Sequence, residues 1–107
     1  MEEGVIDEHP ITKKLVISEK TTDKIKVKPG HQVSKTEIAQ CFGNNNDTFL
    51  IDTRSKHAST PPTKWFVSET DAGRLIKVCF IEYNGLFYIR TAYEANAEEI
   101  RIFNKYS

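Results

Sequence analysis

RLIKVCFIEYNGLFYIRTAY, residues 74–93, decides how this chain folds. Two β-prone runs flank Asn84-Gly85, the dipeptide suited to a two-residue type I′ turn because both central residues take positive φ. The segment therefore reads as a β-hairpin. With Tyr83 opposite Leu86, the register runs outward. One face pairs Ile81 with Tyr88, Cys79 with Arg90 and Lys77 with Ala92. The other pairs Phe80 with Ile89, Val78 with Thr91 and Ile76 with Tyr93. That second face is almost wholly apolar and must be the one that helices cover.

On the first face this register makes Lys77 and Arg90 diagonal neighbours, about 7 to 8 Å apart at the backbone and within reach of one anion. Two adjacent cations repel unless a negative charge sits between them. Two readings stay open. One is an internal salt bridge, for example to Glu69, Glu94 or Glu99. The other is a phosphate site on an open sheet face, with Arg90 supplying planar bidentate donors and Lys77 a mobile point charge.

Working outward, KWFVSET before the hairpin reads as a further strand, joined through Asp71-Ala72-Gly73. A three-residue loop there places Trp65 beside Lys77 and a four-residue loop places it in the core, the placement preferred here. RSKHASTPPT, beginning at Arg54, reads as a loop, because its two prolines cannot join a central ladder. FLID, residues 49–52, reads as a strand. Earlier, SKTE at Ser34–Glu37 is a capping box that opens a helix carrying Ile38, Cys41 and Phe42 and ending at Gly43. Ser18 N-caps a first helix through about Lys26, stopped by Pro29-Gly30, after the β-prone run Leu15-Val16-Ile17. Downstream, Asn96-Ala97-Glu98-Glu99 resembles a second capping box and opens a helix bearing Ile100 and Phe103. The expected fold is α+β. A small antiparallel sheet carries two N-terminal helices on one face and a short C-terminal helix. Residues 1–12 read as a flexible arm and 13–107 as one domain.

The chain has 107 residues, enough for a single core of moderate size. Its apolar fraction of 38% and charged fraction of 28% are those of a globular protein. No apolar run approaches the roughly 18 to 20 residues that cross a bilayer, and the acidic start MEEGVIDEH lacks the features of a secretory signal. A cytoplasmic chain without a membrane partner is expected. Net charge is zero, which excludes a protein coated uniformly for nucleic acid. The charges are nevertheless segregated: seven lysines between Lys13 and Lys35 face only Glu19 and Asp23, a distribution that suits either phosphate contact or a solvated helix face. Cys41 and Cys79 fall in a helix and a strand, so two buried, reduced thiols are expected. Neither has a second Cys or a His at ligand spacing, so no metal and no cofactor is expected.

Other candidates for chemistry are His31, after the Pro-Gly break, and His57, in the loop with Arg54 and Lys56. Either imidazole titrates near neutral pH, though a lone loop histidine is more often simply solvated. Tyr93 falls on the apolar face by strict alternation, but at a strand end its phenol can turn outward. Glu99 suits a capping residue better than a base. With no Gly-rich phosphate loop, no nucleophile elbow and no Cys/His pair at a recognised spacing, nucleotide hydrolysis and acyl transfer are disfavoured.

HQVSKTEI, LIDTR, GRLIKVCFI and IRTAYEANAEEIRIF, in that order across residues 13–104, resemble the BrnT-type ribonuclease toxins of bacterial toxin–antitoxin pairs, within the wider RelE/ParE superfold. His31 and Val33 match a His-x-Val ahead of the second helix. Asp52 and Arg54 match an Asp-x-Arg-like strand end, and Arg90, Ala92 and Glu99 match the arginine strand and the glutamate of the last helix. Tyr93 and Asn96 depart from the more basic pattern usual there. The resemblance implies an RNA substrate, a co-encoded antitoxin protein and metal-independent cleavage by attack of the ribose 2′-hydroxyl on the adjacent phosphate. Arg90, with Arg54 or Lys77, would stabilise the transition state, and His31 or His57 would move protons. The competing expectation is a non-catalytic RelE-like module that binds a protein or nucleic-acid partner.

Overall fold

The computed structural model describes residues 14–26, 32–45, 47–54 and 59–107. The element order is β1 (Leu15–Val16), α1 (Glu19–Lys26), α2 (Lys35–Gly43), β2 (Leu50–Ile51), β3 (Lys64–Glu69), β4 (Leu75–Tyr83), β5 (Leu86–Glu94) and α3 (Ala97–Tyr106). The fold is α+β. Among the described residues five strands form one sheet in the order β1-β5-β4-β3-β2. The hairpin turn is as expected, with φ of 52° at Asn84 and 77° at Gly85, and Tyr83 pairs with Leu86. The sheet is mixed rather than antiparallel, because Leu15 and Val16 pair in parallel with Phe87 and Tyr88. A parallel pair needs a long crossover, and the whole of α1 to β4 supplies it. The expected arm, residues 1–12, lies outside the described residues.

The decisive departure is at Arg90. Phe80 pairs with Ile89 as expected, but Cys79 pairs with Thr91, leaving Arg90 as an extra residue in a β-bulge. From there the register slips by one: Val78 meets Ala92 and Lys77 meets Tyr93. Each residue of β5 beyond the bulge therefore lies on the face opposite to the one that strict alternation assigns. Buried Ile89 and Ala92 are three apart across the irregularity. Lys77 and Arg90 are consequently not diagonal neighbours, and Tyr93 shares a face with Lys77. The guanidinium in this apolar strand is explained locally, since an unpaired bulge residue with an exposed side chain need not pack.

Phe66, Ile76, Val78 and Phe80 are fully buried on the face beneath α2, which contributes Ile38, Ala39, Cys41 and Phe42. Phe42 meets Phe66 and Phe80 with ring centroids 4.8 and 5.2 Å apart, and α1 adds Ile25 to the same core. In contrast to a fold with its helices on one side, α3 packs on the opposite face. Phe103 lies 5.9 Å from Trp65, whose cross-strand partner is Cys79. Trp65 is beside Lys77 and not in the α2 core, because Thr70 donates its backbone N–H to the Arg74 carbonyl and closes a three-residue loop over 71–73.

Both expected capping boxes form, at Ser34–Glu37 and Asn96–Glu99, and Ser18 Oγ accepts the Thr21 amide at the start of α1. Cys41 and Cys79 are buried, free thiols. On α1, Lys20, Lys24 and Lys26 are exposed. Among the described residues no helix is long and apolar enough to cross a membrane.

Deleting Arg90 should preserve the fold, because Ile89 and Thr91 already oppose the adjacent residues Phe80 and Cys79. The expected change in unfolding free energy is within about 1 kcal/mol, as for changes remote from packed groups. A urea titration followed by Trp65 fluorescence checks this; a loss beyond about twice that figure means that the bulge itself holds the sheet.

Candidate functional site

α3 begins where β5 ends, and its capping box places Glu99 over the Lys77 face of the sheet. Glu99 Oε1 accepts the Asn96 backbone N–H at 3.0 Å, and Asn96 Oδ1 accepts the Glu99 amide at 2.8 Å. Glu99 Oε2 accepts the Tyr93 hydroxyl at 2.6 Å and the Lys77 ammonium at 3.1 Å. The bulge makes this possible by setting Tyr93 opposite Lys77. The Lys77 and Glu99 side chains are only 9% and 16% exposed. Lys77 Nζ also sits 4.6 Å from the Trp65 ring centroid and 5.8 Å from that of Tyr93, a cation–π arrangement on two sides.

Burial pushes the Glu99 carboxyl up, but the hydrogen bonds from Tyr93, the Asn96 amide and Lys77, with the Lys77 charge, outweigh it and hold it below the usual range. Tyr93 shifts the other way, raised by burial and by its bond to the Glu99 carboxylate. At neutral pH Glu99 is thus a carboxylate and a weak base, and Tyr93 a neutral phenol. Burial raises the Cys79 thiol, which keeps it protonated and unreactive.

Beside this trio opens a cleft of about 790 Å³, lined by Trp65, Lys77, Glu99, Ile102, Tyr106 and the segment from Phe49 to Arg54. At its rim Arg54 grips Asp52 bidentately, Nε to Oδ1 at 3.0 Å and Nη2 to Oδ2 at 2.8 Å, while the Arg54 amide donates to Oδ1 at 3.1 Å. The Asp52 side chain is 6% exposed and that of Arg54 56%, so one end of the pair is anchored and the other meets solvent.

Of the seven expected site residues, Arg54, Lys77 and Glu99 line the cleft, and Tyr93 joins them through Glu99. Arg90 stands apart in the bulge, exposed and with no ion-pair partner among the described residues. His31 and His57 lie outside the described residues. The shared anion site of Lys77 and Arg90 is corrected: the Lys77 charge is met by Glu99, one of the three carboxylates considered, and the slipped register separates the two cations. Sequence reasoning missed Arg74, which donates to Glu37 from Nη1 and to Glu94 from Nε, both at 3.0 Å, tying α2 to the sheet end. Its signal was present, since Glu37 is the capping glutamate of α2. Among the described residues no group of three or more His, Cys, Asp or Glu could hold a metal ion. Comparison with protein-family models, curated proteins and solved structures finds no match.

Proposed function

We propose that the cleft face binds RNA and that the chain is the metal-independent endoribonuclease toxin of a toxin–antitoxin pair, as the BrnT-type resemblance implies. The observation that carries this reading is convergence. Arg54, Lys77 and Glu99 come from a loop, a strand and a helix, yet line one cleft beside Trp65. In the reaction the ribose 2′-oxygen bonds to phosphorus and the bond from phosphorus to the 5′-oxygen breaks. The 2′-hydroxyl proton goes to a base and the leaving 5′-oxygen takes up a proton, giving a cyclic phosphate and a 5′-hydroxyl. Arg54, exposed at the rim, meets the charge developing on the phosphoryl oxygens. Lys77, covered by Glu99, adds field rather than contact. Proton transfer falls to His31 or His57, since Glu99 is a weak base and Tyr93 retains its proton.

A second reading has its own support. The closed trio of Lys77, Glu99 and Tyr93 satisfies its charges internally, as in a module that binds a protein or nucleic-acid partner without chemistry. Induced expression separates the two. A toxin arrests growth, cleaves RNA in EDTA and loses about 10²-fold in cleavage rate as Arg54→Ala while remaining folded. A wild-type chain that neither arrests growth nor cleaves RNA is the binding module.

A further inference from the structure

The half of the α3-side face nearest the hairpin turn has a different character from the cleft. Val16, Tyr88 and Ile81 form one cross-strand row, and Leu86 with Tyr83 the next. Tyr83 is 53% exposed, Tyr88 37% and Val16 36%. Tyr83 and Tyr88 are diagonal neighbours on one face, about 7 to 8 Å apart, the spacing of two side chains that each present a separate ring. Two residues beyond Tyr88 is Arg90, exposed in the bulge and without an ion-pair partner among the described residues, while Ile89 before it and Ala92 beyond Thr91 are buried in the core with α1 and α2. Lys14, also exposed, directly precedes β1. Among the described residues of these rows there is no carboxylate.

We infer that Tyr83 and Tyr88, with Arg90, form a second RNA subsite that stacks two bases of a single strand running on from the cleft. This rests on the proposed RNA-binding function and names the class of RNA: unpaired, since a base held in a duplex cannot lay its face on a ring. Charge complementarity selects the occupant. An apolar protein partner would leave the Arg90 guanidinium desolvated and unmatched, whereas a sugar-phosphate backbone supplies the anion beside the bases. Recognition is tolerant of sequence, because every base offers a π face.

The test is fluorescence anisotropy of the whole chain with a labelled single-stranded 2′-O-methyl oligoribonucleotide of about 10 nucleotides, which cannot be cleaved by 2′-hydroxyl attack. Tyr83→Ala/Tyr88→Ala should weaken binding at least about tenfold, while Tyr83→Phe/Tyr88→Phe, which keeps both rings, should stay within about twofold of wild type. Arg90→Gln should flatten the dependence of log affinity on log salt by about 0.7, one phosphate contact on a single strand. Circular dichroism confirms that each variant is folded. Equal binding by wild type and the double alanine variant overturns the stacking subsite and leaves RNA binding at the cleft intact. A wild-type chain that ignores the oligonucleotide overturns both. Binding through the tyrosines without RNA cleavage upholds the subsite and removes the nuclease reading. Sedimentation showing a dimer that the double variant dissolves, with no effect on RNA, assigns the face to a second copy and overturns the inference.

Discussion

Glu99→Ala should lower the unfolding free energy by about 3 kcal/mol, the cost typical of removing one partner from a buried ion pair. At this chain length that corresponds to a fall of roughly 15 °C in Tm. The substitution strands the Lys77 ammonium beneath Trp65, removes the acceptor of the Tyr93 hydroxyl and opens the capping box of α3. Replacing both partners, as Lys77→Met/Glu99→Leu, should recover much of the loss, because no charge is then left buried without compensation. The pH dependence has a definite sign. The folded carboxyl lies below its usual value of 4.5, so its stabilisation is fully present above that value and disappears as pH falls through the lower folded one. Urea midpoints from pH 7 down to about 3 should therefore decline in the wild type and decline less in Glu99→Gln. If Glu99→Ala unfolds within about 1 kcal/mol of wild type, the trio is a surface contact and not a structural one.

Phe80→Ala should cost about 4 kcal/mol, a large share of what a domain of this size has available. Phe80 is fully buried, and its ring meets Phe49 at 5.0 Å, Phe42 at 5.2 Å, Phe87 at 5.5 Å and Phe66 at 5.9 Å. Those rings come from α2, β3, β5 and the approach to β2, so no single element can shift to fill the void. The cavity term then adds to the lost transfer energy. Phe80→Leu keeps most of the volume and should cost less than half as much. Guanidinium unfolding monitored by circular dichroism checks both. An alanine variant near wild-type stability means that the ring cluster collapses onto the gap and that Phe80 is not its centre.

The parts of this fold legible in the sequence are those written in local chemistry. Asn84-Gly85 specifies its turn through positive φ, and the pairs Ser34/Glu37 and Asn96/Glu99 specify helix starts through hydrogen bonds three residues apart. What stayed hidden depends on contacts far along the chain. Leu15-Val16 carries no sign that it joins β5 in parallel, and nothing in α3 says which face of the sheet it covers. The bulge lies between these cases. Phe87, Ile89 and Ala92 step by two and then three, but Ala92 is too small and Tyr93 too amphipathic for the break in period to stand out. One unread residue was enough to set Arg90 beside Lys77 on paper and to hide the partnership of Lys77 with Tyr93 and Glu99. Membership of the cleft was legible for Arg54, Lys77 and Glu99 as residue types, whereas their pairing was not.

The two capping glutamates also have a shared geometry. Glu37 closes the first turn of α2 and holds Arg74; Glu99 closes the first turn of α3 and holds Lys77. In each case one oxygen serves the helix and the other a cation fixed to the central hairpin. Winding and docking are therefore a single event for these helices: neither end can fray while its helix stays seated, and the two outer layers are tied into the cooperativity of the strands between them.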